Sequence, residues 1–282
     1  MKRALLALPA LLFLAASSAM AAETRIELFR NRLFIPVSVN GTRVTALLDS
    51  AAEMSVIDDN LARRLRLRLG SDQAVNGSGG LEKGRFAHGL SLSAAGLHLR
   101  HMTAVVLDLR DLSQRLVGRP VLLILGREIF DTARLRVDLA RGTIAAVTRT
   151  AIPRGERFTL VTAHGVETFP VSVEGRPPVR AEFDLGNGSE VLVGKAYAEQ
   201  AGLLAPERIV GRSDGGGIGG KVSRDIVVLK SLTIGGRTFE NVRAAIDATG
   251  TAGDVNVGTS ILRHFLITTD FPQRTLWLEP RV

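Results

Sequence analysis

Cysteine is absent from the 282 residues. That excludes a disulfide framework, a zinc–thiolate centre, an iron–sulfur cluster and a cysteine nucleophile. Aromatic residues are scarce, with one Trp, one Tyr and 5% in total. The net charge is +8, but the basic residues are nearly all arginine and are spread along the chain without a dense run. A nucleic-acid binder would cluster them on one element with aromatics for stacking, so the charge reads as a solvated basic surface and no nucleic-acid partner is expected. The apolar run from Ala4 to Ala16 falls short of the ~20 residues that span a bilayer.

What is present is enough for a core, at 45% hydrophobic and 23% charged. The length suggests one large domain or two small ones, and 29 Gly favour a β-rich, turn-rich architecture. Lys2 and Arg3 precede the apolar run, and Ala19-Met20-Ala21 supplies small residues around a cleavage point. Residues 1–21 are therefore expected to be a signal peptide, with the mature protein exported to the periplasm or secreted and without a membrane span.

The chain repeats itself. Pro36-Val37-Ser38-Val39-Asn40-Gly41 recurs as Pro170-Val171-Ser172-Val173-Glu174-Gly175, each reading as one arm of a β-hairpin. The returning arms, Val44 to Leu48 and Val179 to Phe183, run directly into Asp49 and Asp184. Further landmarks match downstream: Ser55-Val56-Ile57 with Val191-Leu192-Val193, Asp59 to Leu65 with Lys195 to Ala201, and Ser91-Leu92-Ser93 with Ser231-Leu232-Thr233. Ile124-Leu125-Gly126 matches Asn256-Val257-Gly258, and each Gly stands 12 residues before an acid, Asp138 or Asp270. The reading is an all-β protein of two homologous lobes, residues 26–150 and 157–282, joined through the polar stretch Arg149 to Arg157.

A duplication that places one buried Asp in each half brings two carboxylates to a common axis. At about 3 Å such groups cannot both ionise, so they share a proton and their apparent pKa values separate. The ionised member can take a proton from water while the other donates to a carbonyl under attack. The loops suit this chemistry. Asp49-Ser50-Ala51-Ala52 and Asp184-Leu185-Gly186-Asn187-Gly188-Ser189 are mostly small residues whose N–H groups can approach a carboxylate closely.

Leu47-Leu48-Asp49-Ser50-Ala51-Ala52 through Ile57 resembles the Asp-Thr-Gly-Ala segment of retropepsin-like aspartic proteases, and Ile124-Leu125-Gly126-Arg127-Glu128 resembles the Gly-Arg segment that packs behind their catalytic loop. The whole mature chain is similar to exported bacterial two-lobe proteins of this type. The resemblance implies two acid-protease-like β-barrel lobes in an intramolecular pseudo-dimer, active as a monomer. It implies an aspartic endopeptidase acting on peptides or proteins without cofactor or metal, with Asp49 and Asp184 as the catalytic pair. A degenerate relative that binds peptide without cutting it is the alternative. Supporting loop positions are Ser50, Ala51 and Ser55 in one lobe and Leu185, Gly186 and Ser189 in the other. Two of them depart from the family pattern: Ala51 replaces Gly, and Leu185 replaces the hydroxyl that braces the opposite loop. Gly258-Thr259 replaces the second Gly-Arg pair.

Gly77, Ser78, Gly79 and Gly80, with Gly215, Gly216, Gly217 and Gly219, fall at the same place in each repeat and are the expected substrate-covering flaps. Gly215 to Gly220 formally fits a dinucleotide pattern, but a β-type run follows it rather than a helix. His98 and His101 have no third ligand at helical spacing. Asp138 and Asp270 read as turn or strand-end residues.

Overall fold

Alternation along Arg32 to Val39 becomes a strand whose apolar side chains are buried on both faces (Leu33, Phe34, Ile35, Val37 and Val39), because both sides of its sheet are covered. The computed structural model describes residues 23–250 and 252–281; the expected signal peptide lies outside the described residues. Short helices form where the repeat placed them, at Asp59–Arg64 and Lys195–Gln200. Asp58 caps the first by accepting from the N–H of Asn60.

The two halves build similar mixed sheets of eight strands each. In the first, Arg32–Val39, Thr42–Leu48, Leu123–Leu125, Val56–Asp58, Leu97–Leu107 and Gly80–Ala94 lie side by side, and the first of these also pairs with the last. In the second, the corresponding order is Val166–Val173, Val179–Phe183, Val255–Val257, Val191–Gly194, Arg237–Asp247 and Val222–Ile234, closed by the equivalent extra pairing. Each ring contains one parallel neighbour to the strand that carries the Asp, with Leu47 opposite Ile124 and Glu182 opposite Asn256. These are two acid-protease lobes of near-barrel form. They differ between the fifth and third strands named above: the first half inserts a helical turn at Leu112–Val117, whereas among the described residues the second has no helix between Asp247 and Val255.

A third sheet joins them. Thr24–Arg25, Thr143–Ala146 and Leu135–Asp138 from the first half continue into Phe265–Asp270, Thr275–Pro280 and Glu156–Thr159 from the second. Leu135 faces Thr269 across the junction. Aromatic rings connect the halves: Phe130 stacks on Phe271 at 5.2 Å, Phe271 meets Phe183 edge-on, and Phe183 meets Phe169. One apolar core therefore runs through both halves. Asp270 ends its strand, as read from the sequence, but it is also fully buried and bound by Arg134 at 3.1 Å and Arg149 at 2.7 Å. Asp138 accepts from the N–H of Arg141 in the turn it opens. No helix among the described residues is long and apolar enough to cross a membrane.

Candidate active site

Asp49 and Asp184 stand at the ends of equivalent strands and are held in the same way. The N–H of Asp49 donates to the carbonyl of Leu125 at 2.9 Å, and that of Asp184 to the carbonyl of Val257 at 3.1 Å. Each carboxyl then turns back over its own loop. Oδ1 of Asp49 accepts from the N–H groups of Ala51 and Ala52, at 2.9 and 3.0 Å. Oδ1 of Asp184 accepts from those of Gly186 and Asn187, at 2.8 and 3.0 Å. Behind the loops, Arg127 donates its N–H to Ala52 and Thr259 donates its N–H to Asn187, both at 2.9 Å. Replacement of Arg by Thr at 259 leaves this bond intact because the backbone makes it.

The two loops meet. The Asp49 carboxyl lies against Gly186, where a Cβ would fall 2.3 Å from Cγ, a distance no side chain tolerates. Ser50 is 2% exposed and its hydroxyl crosses to the other lobe. It donates to the carbonyl of Phe183 at 2.8 Å and accepts from the N–H of Leu185 at 2.9 Å. The reciprocal brace is missing, since Leu185 is fully buried in the core. Ser55 supports the first loop from behind: its hydroxyl donates to Glu128 at 2.9 Å and accepts from the N–H of Gly126 at 3.0 Å. Ser189 accepts from the guanidinium of Arg32 at 3.3 Å.

The glycine-rich segments are the tips of two hairpins, Gln73–Gly77 with Gly80–Ala94 and Ile209–Gly215 with Val222–Ile234. The tips touch each other. Gly79 donates its N–H to the carbonyl of Ile218 at 2.8 Å. Gly219 sits at φ +90°, with the backbone of Gly80 so close that a Cβ would fall 2.1 Å from its carbonyl oxygen. Gly77 and Gly217 are as tightly placed, against Ile218 and Ser78. The carbonyls of Gly215 and Gly217 accept from the Arg115 guanidinium, at 2.9 and 3.0 Å. Gly216 lies between them at φ +88°.

An aspartyl protease family model matches residues 35–129 and 169–261, one segment in each half. The chain belongs to the aspartyl protease family. Basic 7S globulin from soybean has a similar fold, at 8% identity and a TM-score of 0.54, over 91% of this chain and 94% of that one. Among curated proteins, none matches the sequence.

Membership in the aspartyl protease family gives the electrostatics their meaning. The Asp49 carboxyl is pushed up to about 7, first by burial and then by the negative charge of Asp184, with the N–H bonds of Ala51 and Ala52 opposing. Burial also raises Asp184, against the pull of Asn256, Asn187, Gly186 and Arg32. Asn256 was read from the sequence only as a landmark of the repeat, yet its Nδ2 donates to Oδ2 of Asp184 at 2.8 Å and to Glu182 at 2.9 Å. Arg32 and Arg115 were missed as well. The available signal lay in departures from the repeat, where Glu182 and Asn256 stand for Leu47 and Ile124. Elsewhere, a cavity of about 430 Å³ opens beside Asp58, Asn60, Arg110 and Arg119, away from Asp49 and Asp184. His98 faces Ser93 across a hairpin at 2.7 Å.

Proposed function

We propose that the protein is an aspartic endopeptidase that hydrolyses peptide bonds with a water activated between Asp49 and Asp184. The observation that carries this reading is the paired cradle: one acid from each lobe, each gripped at Oδ1 by two N–H groups, with the loops tied across the axis by Ser50. Burial disfavours two charges, so the pair retains a proton over the weakly acidic range. The ionised carboxylate accepts a proton from the water as its oxygen attacks the peptide carbonyl. The protonated carboxyl donates to the carbonyl oxygen, giving a neutral tetrahedral diol; as the C–N bond breaks, the carboxyl that took the water's proton gives it to the departing amine, and the other carboxylate takes a proton back from a diol hydroxyl. The flap tips would close over an extended peptide and exclude bulk water. No cofactor is needed for this sequence of transfers. Export to the periplasm or beyond, and action as a monomer on peptide or protein substrates, belong to the same proposal.

Leu185 favours a second reading, peptide capture without cleavage, because it removes half of the brace. Incubating the mature protein with a mixed peptide pool between pH 4 and 7 separates the two. Cleavage that a statin-type transition-state analogue blocks and Asp49→Asn abolishes is the expected result. Peptide retained but uncut by the wild type at every pH refutes the enzyme.

A further inference from the structure

The dyad is symmetric in its backbone and asymmetric in the side chains behind it. In the first lobe Leu47 and Ile124 pair across adjacent strands, both buried. The same register in the second lobe pairs Glu182 with Asn256. Asn256 is 8% exposed and all its polar capacity is directed inward. Its two amide hydrogens go to Asp184 Oδ2 and Glu182, and its oxygen accepts from the side chain of Asn187 at 2.9 Å. Asn187 is itself oriented, donating to the carbonyl of Glu190 as well and accepting from the N–H of Ser189. Oδ2 of Asp184 is thus bonded from within its own lobe, and Ile124 offers nothing comparable to Asp49.

We propose that Asn256 and Glu182 are positioning residues that assign the two members of the pair different roles, Asp184 as the base and Asp49 as the acid. A carboxylate gains more from a donor than a carboxyl does, so an amide fixed on Oδ2 favours the ionised form on that side. Glu182 acts through Asn256: by accepting one amide hydrogen it keeps the other aimed at Asp184. The remaining groups facing the site agree with this assignment. Arg32, a buried guanidinium from the first lobe, lies near Asp184 and favours its charge. Glu182 is faced by Asp184, Asp247 and His164, and Asp247 is neutralised by Arg224 at 3.2 Å.

The role assignment rests on the catalytic reading above, but the order of ionisation does not. Protein labelled with ¹³C at the Asp carboxyls is titrated by NMR, with Asp49→Asn and Asp184→Asn assigning the two steps. Asp184 is expected to ionise first. Asn256→Ile, the residue found at the equivalent place in the first lobe, should move its step up by about one pH unit, a tenfold loss in ionisation constant. Asn256→Ala makes the same comparison with less bulk, should the isoleucine not be accommodated. Glu182→Gln keeps an acceptor for Asn256 while removing a neighbouring negative charge, so it should move the step the other way. With a cleavable peptide, the acidic limb of kcat/KM should follow the NMR step, with KM unchanged. Asp49 ionising before Asp184, or an Asp184 step that ignores Asn256, overturns the proposal. Absence of cleavage in the wild type refutes the proteolytic function instead and leaves the titration to decide the brace.

Discussion

Asp49→Asn should make the protein more stable at neutral pH while abolishing the proposed cleavage. Burial and the charge of Asp184 hold the Asp49 carboxyl at about 7, against 3.8 for an ordinary aspartate. Between those values the folded state keeps a proton that the unfolded chain has released, so stability falls as pH rises from about 4 and levels off above 7. The gap of about 3 pH units corresponds to a loss of ~4 kcal/mol at 1.36 kcal/mol per unit. Asparagine keeps the oxygen that accepts from Ala51 and Ala52 and carries no charge to desolvate. Its amide can also donate to the Asp184 carboxylate. Above pH 7 the variant should therefore gain up to ~4 kcal/mol, on the order of 10 °C in Tm for a chain of this size, and near pH 4 the two proteins should nearly coincide. Thermal unfolding followed by circular dichroism at pH 4 and pH 8 measures both. Equal Tm values at pH 8, or parallel pH dependence in the two proteins, would refute the claim that the site stores electrostatic strain.

Other outcomes follow from the same contacts. Ser50→Ala leaves the Phe183 carbonyl and the Leu185 N–H without their buried partner, and should cost ~2–4 kcal/mol in urea denaturation, with Ser50→Thr recovering most of it. Asp270→Asn uncouples a fully buried carboxylate from Arg134 and Arg149, for a loss of ~3 kcal/mol or more by the same assay. Glu128→Ala strips the N–H and hydroxyl of Ser55 of their acceptor, and should lower cleavage more than it lowers the yield of folded protein. Arg115→Ala releases the carbonyls of Gly215 and Gly217; amide exchange across residues 212–220 should accelerate while the rest of the sheet is unchanged.

Much of this site was legible because a duplication writes the same constraint twice. Hairpin, acid, small-residue loop and glycine recur in order, and the sheets recur with them, strand for strand. Ser50 was recognisable as one half of a brace, and Leu185 as the absent half. What escaped was the set of residues that act at a distance in sequence. Arg32 lies 157 residues from Ser189, and Arg115 lies 100 residues from Gly215; in isolation each is an ordinary charged residue. Asp270 looked like a strand end, and it is one, but its two arginine partners come from the other half of the chain.

Sequence alone determined the periodicity, the two acids and the glycines, because these answer to local needs: alternation for a half-buried strand, small residues around a carboxylate, and freedom of φ at a hairpin tip. Tertiary structure decided how unequal the halves are. Whether a polar residue behind an aspartate touches it depends on the register of a parallel strand brought from 72 residues away, and hydrogen bonding, unlike hydrophobic patterning, is decided by tenths of an ångström and the direction of a donor.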